Sequence, residues 1–167
     1  FSIRLENMYR EMDIRENPGM AYRSSLPGAI DAADEEELRE RFMKRYRETE
    51  KSDIMREQTM TGPHRDDIAF LFNEKEVKRY ASQGQTRTFM ICLKLSQHRF
   101  YSQMLGEKPI CLLDDIFSEL DERRTERILE VLGTFGQSII TTTERKETGG
   151  MTAVSIDSLK KRMERNA

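Results

Sequence analysis

The fold of this chain is decided by residues 110–115, which read Ile110-Cys111-Leu112-Leu113-Asp114-Asp115. The uncharged run after Pro109 predicts a strand that is buried on both faces, as in a parallel sheet. Ligands of open α/β sheets bind just beyond the C-terminal ends of the strands, where this run delivers two carboxylates. Adjacent strand residues point to opposite sides, so Asp114 is a candidate ligand for Mg²⁺ and Asp115 a candidate partner for a water. An alternative stays open, in which the two Asp residues form only a turn and a helix cap.

The segments around this strand alternate between helix and strand. A largely buried helix is predicted from residue 84 to about 105. A second helix should follow Asp121 and stop at Gly133, where glycine is a common helix end. Residues 138–140 read as a second apolar strand, and a last strand is predicted near 152–156. This order predicts an α/β fold with a parallel sheet and flanking helices.

The first third of the chain is dominated by helical patterns. Helical spacing begins at Phe1 itself, so we expect the chain to be the C-terminal part of a longer protein. Residues 31–57 are dense in charge and predict a long, mostly solvated helix. Asp34, three residues ahead of Glu37, is its expected cap.

Short strands are predicted between these helices and the buried one. Residues 20–26 read as one strand, and residues 59–62 and 67–72 as two more. A turn at 73–75 leads into 76–80, which predicts a hairpin.

Composition narrows the classes of function. The 167 residues carry 28 Lys+Arg against 30 Asp+Glu, and only 37% are hydrophobic, which indicates a small core. With a net charge of −2, the chain lacks the excess of basic residues that is typical of a dedicated nucleic-acid binder. A role in DNA binding therefore needs another argument. Cys92 and Cys111 both lie in apolar stretches and indicate a reducing compartment. Since no apolar run approaches the roughly 20 residues that span a bilayer, we expect a cytoplasmic protein with no membrane partner.

A second candidate site directly precedes the buried helix. Residues 81–85 read Ala-Ser-Gln-Gly-Gln. The Ser82 hydroxyl, the close backbone approach that Gly84 allows and the free amides of a helix start could together bind an anion. By itself this motif is better explained as a helix N-cap at Ser82 followed by a conformationally flexible Gly84. However, it is followed by the two Asp residues, by Ser-Glu-Leu-Asp at 118–121 and by a strand ending in three Thr residues at 141–143. Each part is weak, but the ordered set is specific.

The ordered set resembles the second half of an ABC-type ATPase head, with its signature motif, Walker B strand, D-loop and switch strand. Within that superfamily, residues 61–67 (Thr-Gly-Pro-His-Arg-Asp-Asp) together with 82–85 and 112–121 resemble the RecF family of bacterial DNA replication and repair proteins. The resemblance covers about residues 59–145 closely and the preceding helices loosely. It implies that 1–57 is part of helical lobe II and that 58–167 is the C-terminal part of ATPase lobe I.

The resemblance also implies a role for each motif residue. An ATP held by the other subunit of a head-to-head, ATP-dependent homodimer would be contacted at its γ-phosphate by Ser82, Gln83, Gly84 and Gln85. Asp114 would bind Mg²⁺ and Asp115 would activate the attacking water. Asp121 would cross the dimer interface as the D-loop acid, and Thr143 would occupy the switch position.

Two departures from the general ABC pattern bear on the rate of hydrolysis. That pattern has Glu where Asp115 stands and His where Thr143 stands. Since a misplacement of about 1 Å can cost on the order of 10²-fold in rate, the resemblance implies a slow ATPase. The phosphate loop G-x-x-x-x-G-K-[ST] does not occur in the sequence. This chain therefore carries half of a composite site, and we expect it to be inactive by itself.

In this family, the resemblance implies binding of single- and double-stranded DNA at gaps or junctions, and assistance to recombination mediator proteins that load recombinase. Two other classes stay open. One is a metal-dependent phosphoesterase or nuclease built on Asp114, Asp115, His64 and Asp67, although a lone His after Gly-Pro is more often a hydrogen-bonded loop residue. The other is a noncatalytic interaction module that uses the charged helix 31–57.

Overall fold

The computed structural model describes residues 1–117, 120–143 and 152–156. The chain divides into two compact units, which we describe separately. Unit 1 comprises Phe1–Glu6 and Glu16–Ser82, and unit 2 comprises Asn7–Arg15 and the described residues from Gln83 onward. The helices and strands are α1 (Ser2–Glu11), β1 (Pro18–Arg23), α2 (Glu35–Met55), β2 (Asp67–Phe72), β3 (Lys75–Glu76), α3 (Val77–Tyr80), α4 (Gln83–Leu105), β4 (Cys111–Asp114), α5 (Glu122–Gly133) and β5 (Ser138–Thr141), with 3₁₀ turns at Ala29–Asp31 and Pro63–Arg65.

Unit 1 is built around an antiparallel sheet in the order β1-β2-β3. β1 pairs with β2 from Pro18 opposite Phe72 to Arg23 opposite Asp67. β2 and β3 form the predicted hairpin. Its turn residues have the positive φ that a two-residue type I′ turn requires, +46° at Asn73 and +65° at Glu74. The buried side chains of this unit include Leu26, Thr61, Ala69, Phe72 and Val77.

The sheet of unit 1 joins strands from both sides of residue 58, the expected boundary between the two lobes. β1 lies before that boundary and β2 lies after it. The assignment of residues 1–57 and 58–167 to two lobes stays a prediction.

Two strand predictions in unit 1 are wrong. Residues 59–62 form no strand, because the backbone there is satisfied by side chains and by a tight turn. Gly62 N donates to Ser25 Oγ at 2.9 Å, and Arg65 N donates to the Gly62 carbonyl at 2.8 Å. The second strand of the hairpin was predicted at 76–80, but β3 ends at Glu76. The chain then coils into α3, where Ala81 N donates to the Val77 carbonyl at 3.0 Å.

The long charged helix of unit 1 is α2, and its start is the predicted one. The Asp34 carboxylate accepts from Glu37 N at 2.8 Å, and the Glu37 carboxylate accepts from Ala33 N at 2.8 Å. These reciprocal bonds satisfy two amides that a helix start leaves without a partner. None of the residues of α2 is buried, in keeping with a mostly solvated helix.

Unit 2 contains the parallel sheet that residues 110–115 predict. The predicted burial of this strand on both faces is wrong, because Leu112 in the middle of β4 is 72% exposed. β4 and β5 pair in parallel from Cys111 opposite Ser138 to Asp114 opposite Thr141, and α5 connects them. The predicted buried helix is α4, and its core residues are Thr88, Phe89, Ile91, Cys92, Leu93, Leu95 and Ser96. Tyr9 of α1 contacts Phe89 edge to face, with the ring centroids 6.2 Å apart. The α/β class is thereby confirmed.

Both cysteines are free and buried, and burial raises the pKa of the Cys111 thiol. The strand predicted near residues 152–156 does not form. None of the helices in the described ranges combines the length and the apolar character needed to cross a membrane.

Candidate functional site

The two candidate carboxylates lie where β4 ends. Asp114 is the last residue of β4 and is exposed, and Asp115 follows it and is half-buried. The parallel register places Asp114 opposite Thr141, whose hydroxyl donates a hydrogen bond to Asp114 Oδ1. Asp115 N donates to the Thr141 carbonyl at 3.1 Å and lies 3.2 Å from Thr141 Oγ1. One residue of β5 therefore holds both acidic residues.

The backbone turns sharply at Asp115. Its φ is +45°, in the left-handed region that non-glycine residues enter at a cost and that Asp and Asn tolerate best. The predicted turn is thus real. It lies at the C-terminal edge of a parallel sheet, where α/β proteins bind ligands.

The donor set at this edge suits a hard divalent cation. Mg²⁺ prefers oxygen ligands and is usually bound through one or two carboxylates, with waters and substrate phosphates completing its shell. Asp114 and Asp115 offer such carboxylates at the sheet edge. Within the described ranges, no group of three or more His, Cys, Asp and Glu side chains forms a closed metal cage.

The candidate anion-binding segment lies at the start of α4. The helix begins at Gln83, directly after Ser82 in the sequence. Gln83 is exposed, whereas Gly84 and Gln85 are half-buried. The first amides of a helix have no partner within it, and together with the helix dipole they attract anions. The structure therefore leaves both interpretations of Ser82, cap and anion contact, compatible with its position.

An arginine outside the predicted motifs connects α4 to the acidic turn. Arg87, the fifth residue of α4, donates from Nη2 to the Asp115 carbonyl and from Nε to the Ile116 carbonyl at 3.3 Å. A signal was available in the sequence, since a charged residue within a largely buried helix requires a buried partner.

Asp121 is the cap of α5. Its Oδ1 accepts from Arg124 N at 2.8 Å, and its Oδ2 lies 3.4 Å from Arg124 Nε. Arg124 also reaches α4, with its Nη1 3.4 Å from Thr88 Oγ1, and Thr88 donates to the Gly84 carbonyl at 2.8 Å. The Asp121 side chain is 61% exposed. Of the predicted D-loop, Ser118 and Glu119 lie outside the described residues.

Thr143 lies two residues beyond the end of β5 and is exposed. Thr141 of the same run donates a hydrogen bond to Asp114. Thr141 could not be selected from the sequence, because its position opposite Asp114 depends on the register between two strands.

The motif at residues 61–67 has contacts within unit 1. His64 Nε2 lies 3.0 Å from Thr59 Oγ1, and Arg65 Nε donates to the Thr59 carbonyl at 3.0 Å. Asp66 Oδ1 accepts from Ser25 N at 2.7 Å and from Ser25 Oγ at 2.8 Å. The Ser25 amide is the main cause of a lowered pKa of the Asp66 carboxyl, and the hydroxyl of Tyr22 adds to it. His64 is thus the hydrogen-bonded loop residue that the Gly-Pro context favours.

No family model matches the sequence, but individual relatives do. "DNA replication and repair protein RecF" of Chlorobium phaeobacteroides is 49% identical over 155 residues, which cover 93% of this chain and 43% of that protein. The protein of the same description from Chlorobium luteolum is 50% identical over 141 residues, or 84% and 38% of the two chains.

Two solved structures are also similar. The recombination mediator protein RecF of the RecFOR pathway, with ATP, has a TM-score of 0.67 and 36% identity over 85% of this chain and 39% of that chain. The same protein as RecF-ATPrS has a TM-score of 0.66 and 35% identity. The chain thus spans about two fifths of the length of the relatives and structures it matches.

Proposed function

This chain belongs to the RecF family, and we propose from that premise that it is the part of an ABC-type ATPase head that supplies the Walker B carboxylates and the signature segment. In the full-length protein, ATP would close two such heads into a homodimer. The ATP-bound state would engage DNA and recombination mediator proteins. The similar solved structures contain RecF with ATP and with ATPrS, which supports a nucleotide as the ligand.

The observation that carries this proposal is the construction of the β4 edge. Two successive carboxylates leave a parallel strand, and Thr141 of the neighbouring strand binds the first side chain and the backbone of the second. A Walker B carboxylate at this position of a P-loop ATPase helps to hold Mg²⁺ on the β- and γ-phosphates. The donor set of Asp114 and Asp115 fits that role.

Each residue of the acidic pair then has a defined role in hydrolysis. Asp114, oriented by the Thr141 hydroxyl, binds the metal ion, which neutralises phosphate charge when it is bound. Asp115 orients the attacking water and accepts its proton. Asp115 is a shorter base than Glu, and Thr143 at the switch position is a weaker phosphate partner than His. We therefore propose slow hydrolysis, which suits a timer of DNA engagement better than a motor.

The remaining site residues act across the dimer interface in this proposal. Ser82, Gln83, Gly84 and Gln85 contact the γ-phosphate of the ATP held by the other subunit. The exposed Asp121 carboxylate faces the partner as the D-loop acid while it caps α5. Since the signature segment and the phosphate cradle come from different subunits, hydrolysis depends on closure.

The DNA partner follows from the family and not from the charge of this chain. With a net charge of −2, the chain lacks the basic excess that would bind phosphates by itself. We therefore propose that single- and double-stranded DNA, at gaps or junctions, is bound by the closed dimer in the cytoplasm. Mediator proteins that load recombinase would act on that complex.

Sizing of the full-length protein by light scattering, with and without Mg·ATP, tests this function. We expect ATP to double the mass of the parental protein. Asp114→Ala should raise the Mg²⁺ concentration that ATP needs to double the mass. The matched control Asp67→Ala, at an exposed carboxylate of β2, should leave this concentration unchanged. A parental protein whose mass and DNA affinity ignore ATP, or one that cleaves DNA with metal alone, would contradict the proposal.

A further inference from the structure

We propose that Arg87 is a positioning residue for Asp115. From the first turns of α4 it fixes the backbone turn that carries this carboxylate, and so sets the distance of the base from its water. The inference rests on the proposed function, in which Asp115 activates water, and assigns to that reaction a residue outside the motifs.

The two hydrogen bonds of Arg87 go to successive carbonyls of one turn. Nη2 binds the Asp115 carbonyl, and Nε binds the Ile116 carbonyl at 3.3 Å. Ile116 is buried, at 7% exposure, so the carbonyls that Arg87 binds lie beside a packed side chain. Two donors from one rigid guanidinium fix the orientation of both peptide groups.

The opposite side of the same turn is held by β5. Asp115 N donates to the Thr141 carbonyl at 3.1 Å, so strand pairing fixes the amide side of the residue and Arg87 fixes its carbonyl side. Asp115 is also in the left-handed region, with φ of +45°. Such conformations persist when the surrounding structure holds them in place, and they cluster at functional sites. Arg87 therefore adds a second anchor to the turn, on the side opposite to β5.

The chemistry explains why arginine is needed at this position. The guanidinium presents several N–H donors in one plane and is always charged, whereas the ammonium group of lysine is a compact point charge. Lysine can therefore replace one of the two carbonyl contacts but cannot hold both in a fixed geometry. Glutamine provides a shorter, neutral side chain and should lose both contacts.

The experiment compares Arg87→Gln and Arg87→Lys in the full-length protein. Nucleotide binding, ATP-induced dimerisation by light scattering and steady-state hydrolysis are measured for each. We expect binding, KM and dimerisation near the parental values. We expect the kcat of Arg87→Gln to fall by at least about 10-fold, because displacement of a catalytic group by about 1 Å costs on the order of 10²-fold in rate. The kcat of Arg87→Lys should lie between those of Arg87→Gln and the parent.

The matched control is Arg99→Gln on the same helix. Arg99 forms a two-pronged ion pair with Glu11 within unit 2, with Nη2 at 2.6 Å from Oε1. Its loss should cost α4 a comparable number of arginine contacts and leave kcat unchanged. An equal fall of kcat in Arg99→Gln would show a general effect of helix stability and overturn the inference, as would parental kcat in Arg87→Gln.

Folding of the variants is checked by circular dichroism. Should Arg87→Gln fail to fold, Arg87→Lys decides the question, because parental kcat in that variant would overturn the inference and a selective fall of kcat would support it. The proposed function fails separately, in the parental protein, through absence of ATP hydrolysis.

Discussion

The hydroxyl of Thr141 donates a hydrogen bond to Oδ1 of Asp114, and these two residues stand opposite each other in the parallel register of β4 and β5. The carbonyl of Thr141 also accepts from the amide of Asp115. A shift of this register by one residue would turn the Thr141 side chain to the other face of the sheet. The geometry of the acidic pair therefore depends on correct strand pairing.

Thr141→Val should raise the Mg²⁺ concentration needed for ATP hydrolysis by full-length protein by about 10-fold or more, because groups that orient metal ligands are worth 10- to 100-fold in metal affinity. Valine keeps the β-branched shape that suits a strand but lacks the hydroxyl. A Mg²⁺ titration of the hydrolysis rate measures the effect. Thr141→Ser, which restores the donor, should titrate like the parent, and an unchanged titration of Thr141→Val would refute the role of the hydroxyl.

Asp115→Asn should retain ATP binding and accumulate as an ATP-bound dimer of the full-length protein. In the proposed mechanism, this exchange removes the base of the positioned water and leaves Asp114 to bind the metal ion. Asn also tolerates the left-handed backbone at this position, so the turn should survive. Light scattering with ATP, alongside phosphate release, shows the result. Parental hydrolysis by this variant would remove Asp115 from the mechanism.

Ser82→Arg separates a helix cap from an anion contact. As a cap alone, Ser82 would be worth about 1 kcal/mol of helix stability, and Arg and Ala would be equally harmful replacements. As a signature residue it would lie against the γ-phosphate in the partner subunit, where Arg blocks closure and Ala does not. We expect Ser82→Arg to bind ATP without dimerising, and Ser82→Ala to dimerise. A Ser82→Arg protein that doubles its mass with ATP would disprove the contact across the interface.

The isolated chain of residues 1–167 should neither bind Mg·ATP tightly nor hydrolyse it. Its sequence contains no phosphate loop, so the β- and γ-phosphates lack the backbone cradle and the Lys that hold them in P-loop proteins. Isothermal titration calorimetry with Mg·ATP provides the measurement. Micromolar affinity of this chain would contradict the composite site.

Asp66 should make the stability of unit 1 depend on pH. The Ser25 amide and the Tyr22 hydroxyl lower the pKa of Asp66 below its ordinary value of 3.8, so the folded state favours the carboxylate. The resulting stabilisation is present above the unfolded-state pKa and is lost as the pH falls through the folded-state pKa. Urea unfolding should show Asp66→Asn less stable than the parent at pH 7, with the difference shrinking below pH 3.8. A difference that does not vary with pH would contradict this assignment.

The elements with strong local signals could be predicted from the sequence. Periodicity predicted α4 and α5, and the predicted Asp34 cap of α2 forms. The apolar run before Asp114 predicted a parallel strand, and the pairing of β4 with β5 confirms it. In each case the sequence signal lies within a few residues of the chain, although Leu112 is exposed where burial on both faces was predicted.

The features that depend on distant partners were not predicted. Arg87 binds carbonyls 28 and 29 residues further along the chain, and no periodicity indicates such a contact. The segment at 59–62 has the composition of a strand, yet Ser25, 37 residues away from Gly62, supplies the hydrogen bonds that a neighbouring strand would have provided. The roles of all the predicted site residues, Asp114, Asp115 and Asp121 as well as Ser82 and Thr143, remain predictions.

The left-handed backbone at Asp115 restricts how the proposed ATP hydrolysis could be made faster. Installing the longer glutamate, the base of the general ABC pattern, would place a residue with less tolerance for positive φ at this turn, where the left-handed conformation costs an ordinary residue roughly 1–2 kcal/mol. The chain would then relax its turn or lose stability, and either result moves the new carboxylate. A faster variant would therefore need a redesigned turn, with a glycine placed beside the glutamate, and not a single exchange.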